Sequence, residues 1–99
     1  MFKDLKNFST NTNLEYDICI IGSGPAGISL AKELSDSNYK ITILESGGLE
    51  TEDEYQELNN GENSGPSYLS LYSSRLRCFG GVGKLWAGVC APYKKDEFN

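Results

Sequence analysis

The strongest hydrophobic signal in this chain is a pair of short apolar runs on either side of one helical stretch. Tyr16 to Ile21 reads Tyr-Asp-Ile-Cys-Ile-Ile, and Lys40 to Glu45 reads Lys-Ile-Thr-Ile-Leu-Glu. Both are short, rich in β-branched residues and bounded by polar residues or glycine, which predicts strands. Ile18 to Ile21 is apolar at every position, as in a central parallel strand covered on both faces. Cys19 then reads as a small buried hydrophobe. Between the runs, Pro25 to Asp36 predicts a helix. Proline suits a first helical turn, where its missing N–H would be unpaired in any case. Gly27, Leu30, Ala31 and Leu34 recur at helical spacing and give one narrow packing face. Strand, tight glycine turn, helix and strand together make a βαβ unit.

The rest of the chain is less regular. Residues 1–13 are polar, rich in Asn, Ser and Thr, and read as a flexible leader. Thr51-Glu52-Asp53-Glu54 has the Thr-x-x-Glu form of a capping box, which predicts a short helix from Glu52 to about Leu58. Asn59 to Pro66 is rich in turn residues. Tyr68 to Leu76 alternates weakly and matches no single element. A second glycine cluster follows at Gly80-Gly81-Val82-Gly83. The expected fold class is α/β: a Rossmann-like βαβ with an irregular C-terminal extension, residues 14–99 forming an incomplete domain. Two parallel strands and one helix leave apolar faces poorly covered, so the isolated chain is expected to be marginally stable.

Composition narrows the function. The 99 residues hold 9 Lys+Arg against 14 Asp+Glu and no His, a net charge of -5. An acidic chain is a poor non-specific binder of nucleic acid. The absence of histidine excludes His-based metal sites and any Ser/His or Cys/His catalysis within these residues. The longest apolar run is far shorter than the ~20 residues of a membrane span, and too short for a signal-peptide core. Cys19, Cys78 and Cys90 form no CxxC pair, so neither a zinc ribbon nor a disulfide framework is indicated. Cys90 reads as a structural thiol. A cytoplasmic location is the default expectation. The stretch between Lys40 and Arg75 holds seven acidic and no basic residues, and reads as a solvated acidic face.

Candidate chemistry lies in the glycines. Gly22-Ser23-Gly24-Pro25-Ala26-Gly27 is a G-x-G-x-x-G that follows a strand and opens a helix. Glu45 ends the next strand, 18 residues after Gly27. Gly22 permits the tight turn, Gly24 lets a pyrophosphate approach the backbone, and Gly27 lets helix and strand pack closely. A helix start offers N–H groups and partial positive charge to phosphates. Glu45 can accept hydrogen bonds from ribose hydroxyls, and its charge disfavours a 2′-phosphate, hence NADP. Gly83-Lys84 mimics the end of a P-loop, but that motif needs Gly where Cys78 stands and Ser or Thr where Leu85 stands. Gly80, Gly81 and Gly83 still could form an anion-binding concavity, with Arg75, Arg77 and Lys84 near in sequence.

These residues resemble a known family. Tyr16 to Gly27, followed by Leu44-Glu45-Ser46-Gly47-Gly48, is similar to the first βαβ of FAD-dependent oxidoreductases. Arg75-Leu76-Arg77-Cys78-Phe79-Gly80-Gly81, with Trp86-x-Gly88 and Asp96-Glu97-Phe98, resembles the glucose–methanol–choline (GMC) oxidoreductases, in particular the sugar dehydrogenase and pyranose oxidase branch. The resemblance implies FAD as cofactor. Gly22, Ser23, Gly24, Pro25, Ala26 and Gly27 would bind its pyrophosphate, and Glu45 and Ser46 the adenosine ribose. Gly80, Gly81, Val82, Trp86 and Gly88 would lie along the pyrophosphate and flavin. Leu85 stands where some members carry a flavin-linking His, so FAD would be held non-covalently. The family's catalytic His lies late in a much longer chain, so no catalytic residue is expected here. The implied function is an FAD-binding fragment of an enzyme oxidising CH–OH groups of alcohols or sugars. A stand-alone NAD- or FAD-binding module and a non-functional truncation product are the alternatives.

Overall fold

The structure is a computed structural model describing residues 1–85, 91–92 and 94–98. Trp86, Gly88 and Cys90 lie outside the described residues.

The βαβ unit is present. Strand β1 (Ile18–Ile21) and strand β2 (Ile41–Leu44) run parallel, with Ile18 opposite Ile41 and Ile21 opposite Leu44. Helix α1 (Pro25–Glu33) connects them. The strand starts are tied by Asp17, whose N–H donates to Lys40 O at 2.9 Å and whose carboxylate accepts from Lys40 N–H at 2.7 Å. Beyond the strands, Gly22 N–H donates to Leu44 O at 2.7 Å, which carries the pairing into the first glycine turn.

Helix α1 stops three residues short of the expected Asp36. Serines explain the early end: Ser35 Oγ donates to Lys32 O at 2.7 Å and Ser37 Oγ to Leu34 O at 2.6 Å. Such hydroxyls satisfy end carbonyls locally and compete with further helix. The packing face also shifts. Gly27, Ile28, Ala31 and Leu34 are half-buried, whereas Leu30 is half exposed. Two strands offer only a narrow apolar strip beneath the helix, and that strip passes Leu30 by.

The reading of β1 as buried on both faces is corrected. Ile20 lies under α1 and is buried, but Cys19 is exposed and Ile21 is 88% exposed. Alternate strand residues point to opposite faces, and α1 covers one face only. Ile20 and Cys78 are the buried hydrophobic residues among those described.

The acidic segment folds as helix α2 (Asp53–Gln56), continuing into a 3-10 turn over Glu57–Asn59. The helix begins one residue later than expected. Its cap position is Glu52, with no side-chain cap bond, so the Thr51 capping box does not form. Thr51 Oγ1 instead lies 3.7 Å from the sulfur of Cys78. The ambiguous stretch contains helix α3 (Leu71–Ser74), capped by the hydroxyl of Ser70. At the N-terminus, Asp4 caps a 3-10 turn over Leu5–Asn7. That turn reaches back to the chain: the Phe2 ring meets Phe79 edge-on at 5.1 Å, and Lys6 lies over the Tyr55 ring and 3.7 Å from Glu54.

Candidate functional site

The site is built where both strands end. Gly22 adopts φ +95°, a backbone conformation that side chains resist, and so makes the turn from β1 into α1. A β-carbon on Gly27 would collide with the carbonyl oxygen of Gly22 and lie 3.3 Å from Ile20 Cγ2. Helix and strand therefore approach as closely as glycine allows. Gly24 is different. Its backbone is ordinary, and a β-carbon there would meet nothing within 4 Å. The protein itself places no demand for glycine at this position. The open space faces the start of α1, whose cap residue Gly24 has no side chain to satisfy the N–H groups of the first turn. Free N–H groups and the partial positive charge of a helix start suit a phosphate anion there.

The second glycine cluster closes on the first. Gly80 N–H donates to Ser23 O at 3.0 Å. A β-carbon on Gly81 would lie 3.4 Å from Gly24 Cα, and one on Gly83 would lie 3.0 Å from Pro25 Cγ. Gly81 and Val82 open a 3-10 turn over Gly81–Leu85. Its amides are committed inside the protein: Gly81 N–H donates to Cys78 O at 2.9 Å and Gly83 N–H to Gly80 O at 3.2 Å. The anion-binding concavity expected from these three N–H groups is therefore not formed by them. They buttress the Ser23-Gly24-Pro25 turn instead.

Glu45 stands at the end of β2 and reaches back to the same turn. Its Oε2 accepts from Ser23 N–H at 2.7 Å and from Ser23 Oγ at 2.6 Å. Its Oε1 accepts from Ser46 N–H at 2.8 Å and from Ser46 Oγ at 3.2 Å. Partial burial works to raise the carboxyl pKa, but the donors from Ser23 and Ser46 together outweigh it and hold the pKa below the ordinary glutamate value. A carboxylate has about four acceptor positions, and four donors occupy them. A ribose can reach Glu45 only by exchange with one of the serines.

Of the basic residues near the second cluster, Arg75 is exposed, whereas Lys84 and Arg77 are tied to other parts of the chain. Lys84 Nζ donates to Leu49 O at 2.6 Å and pairs with Glu50 at 3.0 Å. Arg77 donates through Nη1 to Ser46 Oγ at 3.0 Å and through Nε to Asn59 Oδ1 at 2.8 Å. Behind it lie two buried amides that sequence reasoning missed. Gln56 Nε2 donates to Tyr72 O and Arg75 O, both at 2.6 Å, and Gln56 Oε1 accepts from Arg77 N–H at 3.2 Å. Asn59 Nδ2 donates to Arg75 O at 3.3 Å. The acidic side chains of this segment are exposed, as expected. The available signal was the pair of uncharged amides at helical spacing within an acidic helix.

Among the described residues there is no group of three potential metal ligands, and no helix is long and apolar enough to cross a membrane.

Residues 16–63 match the pyridine nucleotide-disulphide oxidoreductase family. The chain is 46% identical over 37 residues to ubiquinone hydroxylase UbiM of Neisseria meningitidis serogroup C, covering 37% of this chain and 8% of that protein. It is 35% identical over 60 residues to a digeranylgeranylglycerophospholipid reductase of Haloferax volcanii, covering 59% of this chain and 14% of that one. The matched stretches thus span a small part of either relative's length. No solved structure matches. The family match and the parallel βαβ support a coarse class, a Rossmann-like, nucleotide-binding segment. The matched family is not the GMC family that the sequence resembles.

Proposed function

We propose that this chain is the FAD-binding opening of a flavin-dependent oxidoreductase that oxidises a CH–OH group of an alcohol or sugar, with the GMC pattern of its second glycine motif. One observation carries the nucleotide-binding part: the open space at Gly24, in front of an uncapped helix start, beside a carboxylate at the end of β2. That arrangement suits the pyrophosphate and ribose of a dinucleotide. In this reading Gly22 to Gly27 cradle the pyrophosphate, and Glu45 and Ser46 take the adenosine ribose. Gly80, Gly81 and Val82 belong to the same cofactor site, as do Trp86 and Gly88 by their resemblance to the GMC pattern.

When bound, FAD supplies a hydride acceptor, and the redox chemistry is its own. The residues of this chain bind and orient it. Gly80 holds Ser23 through its N–H, and Pro25 fixes the first turn of α1 against Gly83. In this reading the cofactor is held non-covalently, because Leu85 stands where the GMC resemblance would place a linking His. The groups that move the substrate proton belong to further polypeptide, against which the exposed sheet face of Cys19, Ile21 and Leu44 would pack. A cytoplasmic location is part of the proposal.

A second reading is a dinucleotide module that binds NAD. The match to a pyridine nucleotide family favours it. Titrating the purified chain with FAD and with NAD, by flavin fluorescence and calorimetry, separates the two. FAD is expected to bind more tightly, and tighter NAD binding would sink the flavin reading.

A further inference from the structure

We infer that Arg77 is a positioning residue for the ribose site, acting on Glu45 through the hydroxyl of Ser46. The inference rests on the dinucleotide reading above and concerns the adenosine ribose that FAD and NAD share.

The two oxygens of Glu45 are not equivalent. Oε2 is filled by Ser23, which is 1% exposed and whose carbonyl is held by Gly80 N–H. Oε1 faces Ser46, which is exposed, and the Ser46 hydroxyl makes the longest of the four bonds to the carboxylate, 3.2 Å. A ribose diol therefore enters on the Oε1 side, taking the place of the Ser46 hydroxyl proton. Arg77 makes that exchange possible without moving the serine. Its Nη1 donates to Ser46 Oγ at 3.0 Å. With the oxygen held, the hydroxyl proton can rotate from Glu45 to a ribose oxygen. Glu45 then accepts from one ribose hydroxyl while Ser46 donates to the diol.

Arg77 is itself fixed from three sides. Nε donates to Asn59 Oδ1 at 2.8 Å, Nη2 to Leu58 O at 3.4 Å, and its backbone N–H to Gln56 Oε1 at 3.2 Å. Its carbonyl oxygen lies where a β-carbon on Gly47 would fall, so the backbone just after Ser46 is pressed against Arg77. Phe79 N–H donates to Gly48 O at 2.9 Å and continues the contact. Neither ion pair among the described residues includes Arg77. The guanidinium thus acts on Glu45 through Ser46, as a rigid fork that a lysine would not reproduce.

The test compares ADP with 2′,3′-dideoxy-ADP by calorimetry on the full chain. Wild type should bind ADP more tightly. Arg77→Ala should weaken ADP binding about tenfold, the scale of a charge-assisted hydrogen bond, and leave the dideoxy ligand within about twofold. Arg77→Lys should not rescue. Asn59→Ala, which loosens the Nε anchor, should repeat the pattern more weakly. Ser46→Ala, at an exposed position, should reproduce the ADP-specific loss and make Arg77→Ala add little to it. Serine carries the test if the other variants lose their amide spectrum. Equal losses for both ligands, or no loss of ADP affinity in S46A, would overturn the inference. A wild type that binds both ligands equally overturns it while the nucleotide reading stands. A chain that binds neither ligand, nor FAD, nor NAD, overturns both.

Discussion

Gly24 and Gly27 sit three positions apart, and the structure asks different things of them. Gly27 is required by the chain itself, because a β-carbon there strikes the Gly22 carbonyl, a backbone atom with no freedom to yield. Overpacking of that kind costs about 1–3 kcal/mol. Gly27→Ala should therefore lose most of the native amide dispersion in a proton–nitrogen NMR spectrum at 25 °C. Gly24→Ala should keep the spectrum, since its β-carbon points into open space, and should weaken nucleotide binding at least about tenfold by blocking the pyrophosphate. Retained binding in G24A would remove the pyrophosphate from this turn. Glu45 makes a second prediction at this scale. Its folded pKa lies below the ordinary glutamate value, so the stability it contributes is complete above the unfolded value and is lost as pH falls through the lowered one. A carbon-detected titration of the Glu45 carboxylate should show the depressed pKa, and Ser23→Ala should move it upward. An unchanged midpoint in S23A would mean that the serine hydroxyl does not hold this charge.

At the scale of elements, the glycine turn and its two strands were legible because their signals are local. Strand length, the Gly22 turn and the Pro25 helix start depend on neighbours in sequence. The capping box was legible too, and wrong: Thr51 is drawn to Cys78, a contact across the fold that no local rule contains. The segment of α2 was readable as short and acidic, but its function as an anchor was not. Gln56 is 4% exposed and serves three backbone groups of residues 72–77. Replacing it by Leu strands the Tyr72 carbonyl and the Arg77 N–H, each costing about 1–3 kcal/mol if left unsatisfied, and leaves the Arg75 carbonyl with the longer bond from Asn59. Gln56→Leu should speed hydrogen exchange of the Arg77 and Phe79 amides by at least about tenfold, with the Ile43 amide less affected. Equal acceleration everywhere would show that α2 and the strands open as one unit.

The whole molecule is more open than its length requires. Its accessible surface is 8595 Å², against about 5,600 Å² for a compact monomer of this mass. The radius of gyration is 16.8 Å, against about 13 Å for a compact chain of this length. Ile21, Leu30, Leu44 and Leu85 are among the large apolar residues left exposed. A two-stranded sheet with one covered face buries too little to hold a cooperative core. Heating the chain alone should give a broad, weakly cooperative change, and a sharp transition above ~50 °C would refute this. Saturating nucleotide should sharpen and raise it, since a ligand that binds only the folded state stabilises that state.

The sequence by itself determined the βαβ unit, the turn at Gly22, the close approach at Gly27 and the absence of histidine chemistry. Each follows from local sterics or from composition, which contacts elsewhere cannot alter. Only the tertiary structure decided which face of β1 is covered, because that depends on how many layers assemble around it. It also decided that the second glycine cluster buttresses the first instead of offering its own amides. Last, it decided that Glu45 is already saturated by Ser23 and Ser46, with Arg77 behind them. Hydrogen-bond partners separated by 22 or 31 residues meet only once the chain has folded, and no periodicity in the sequence records them.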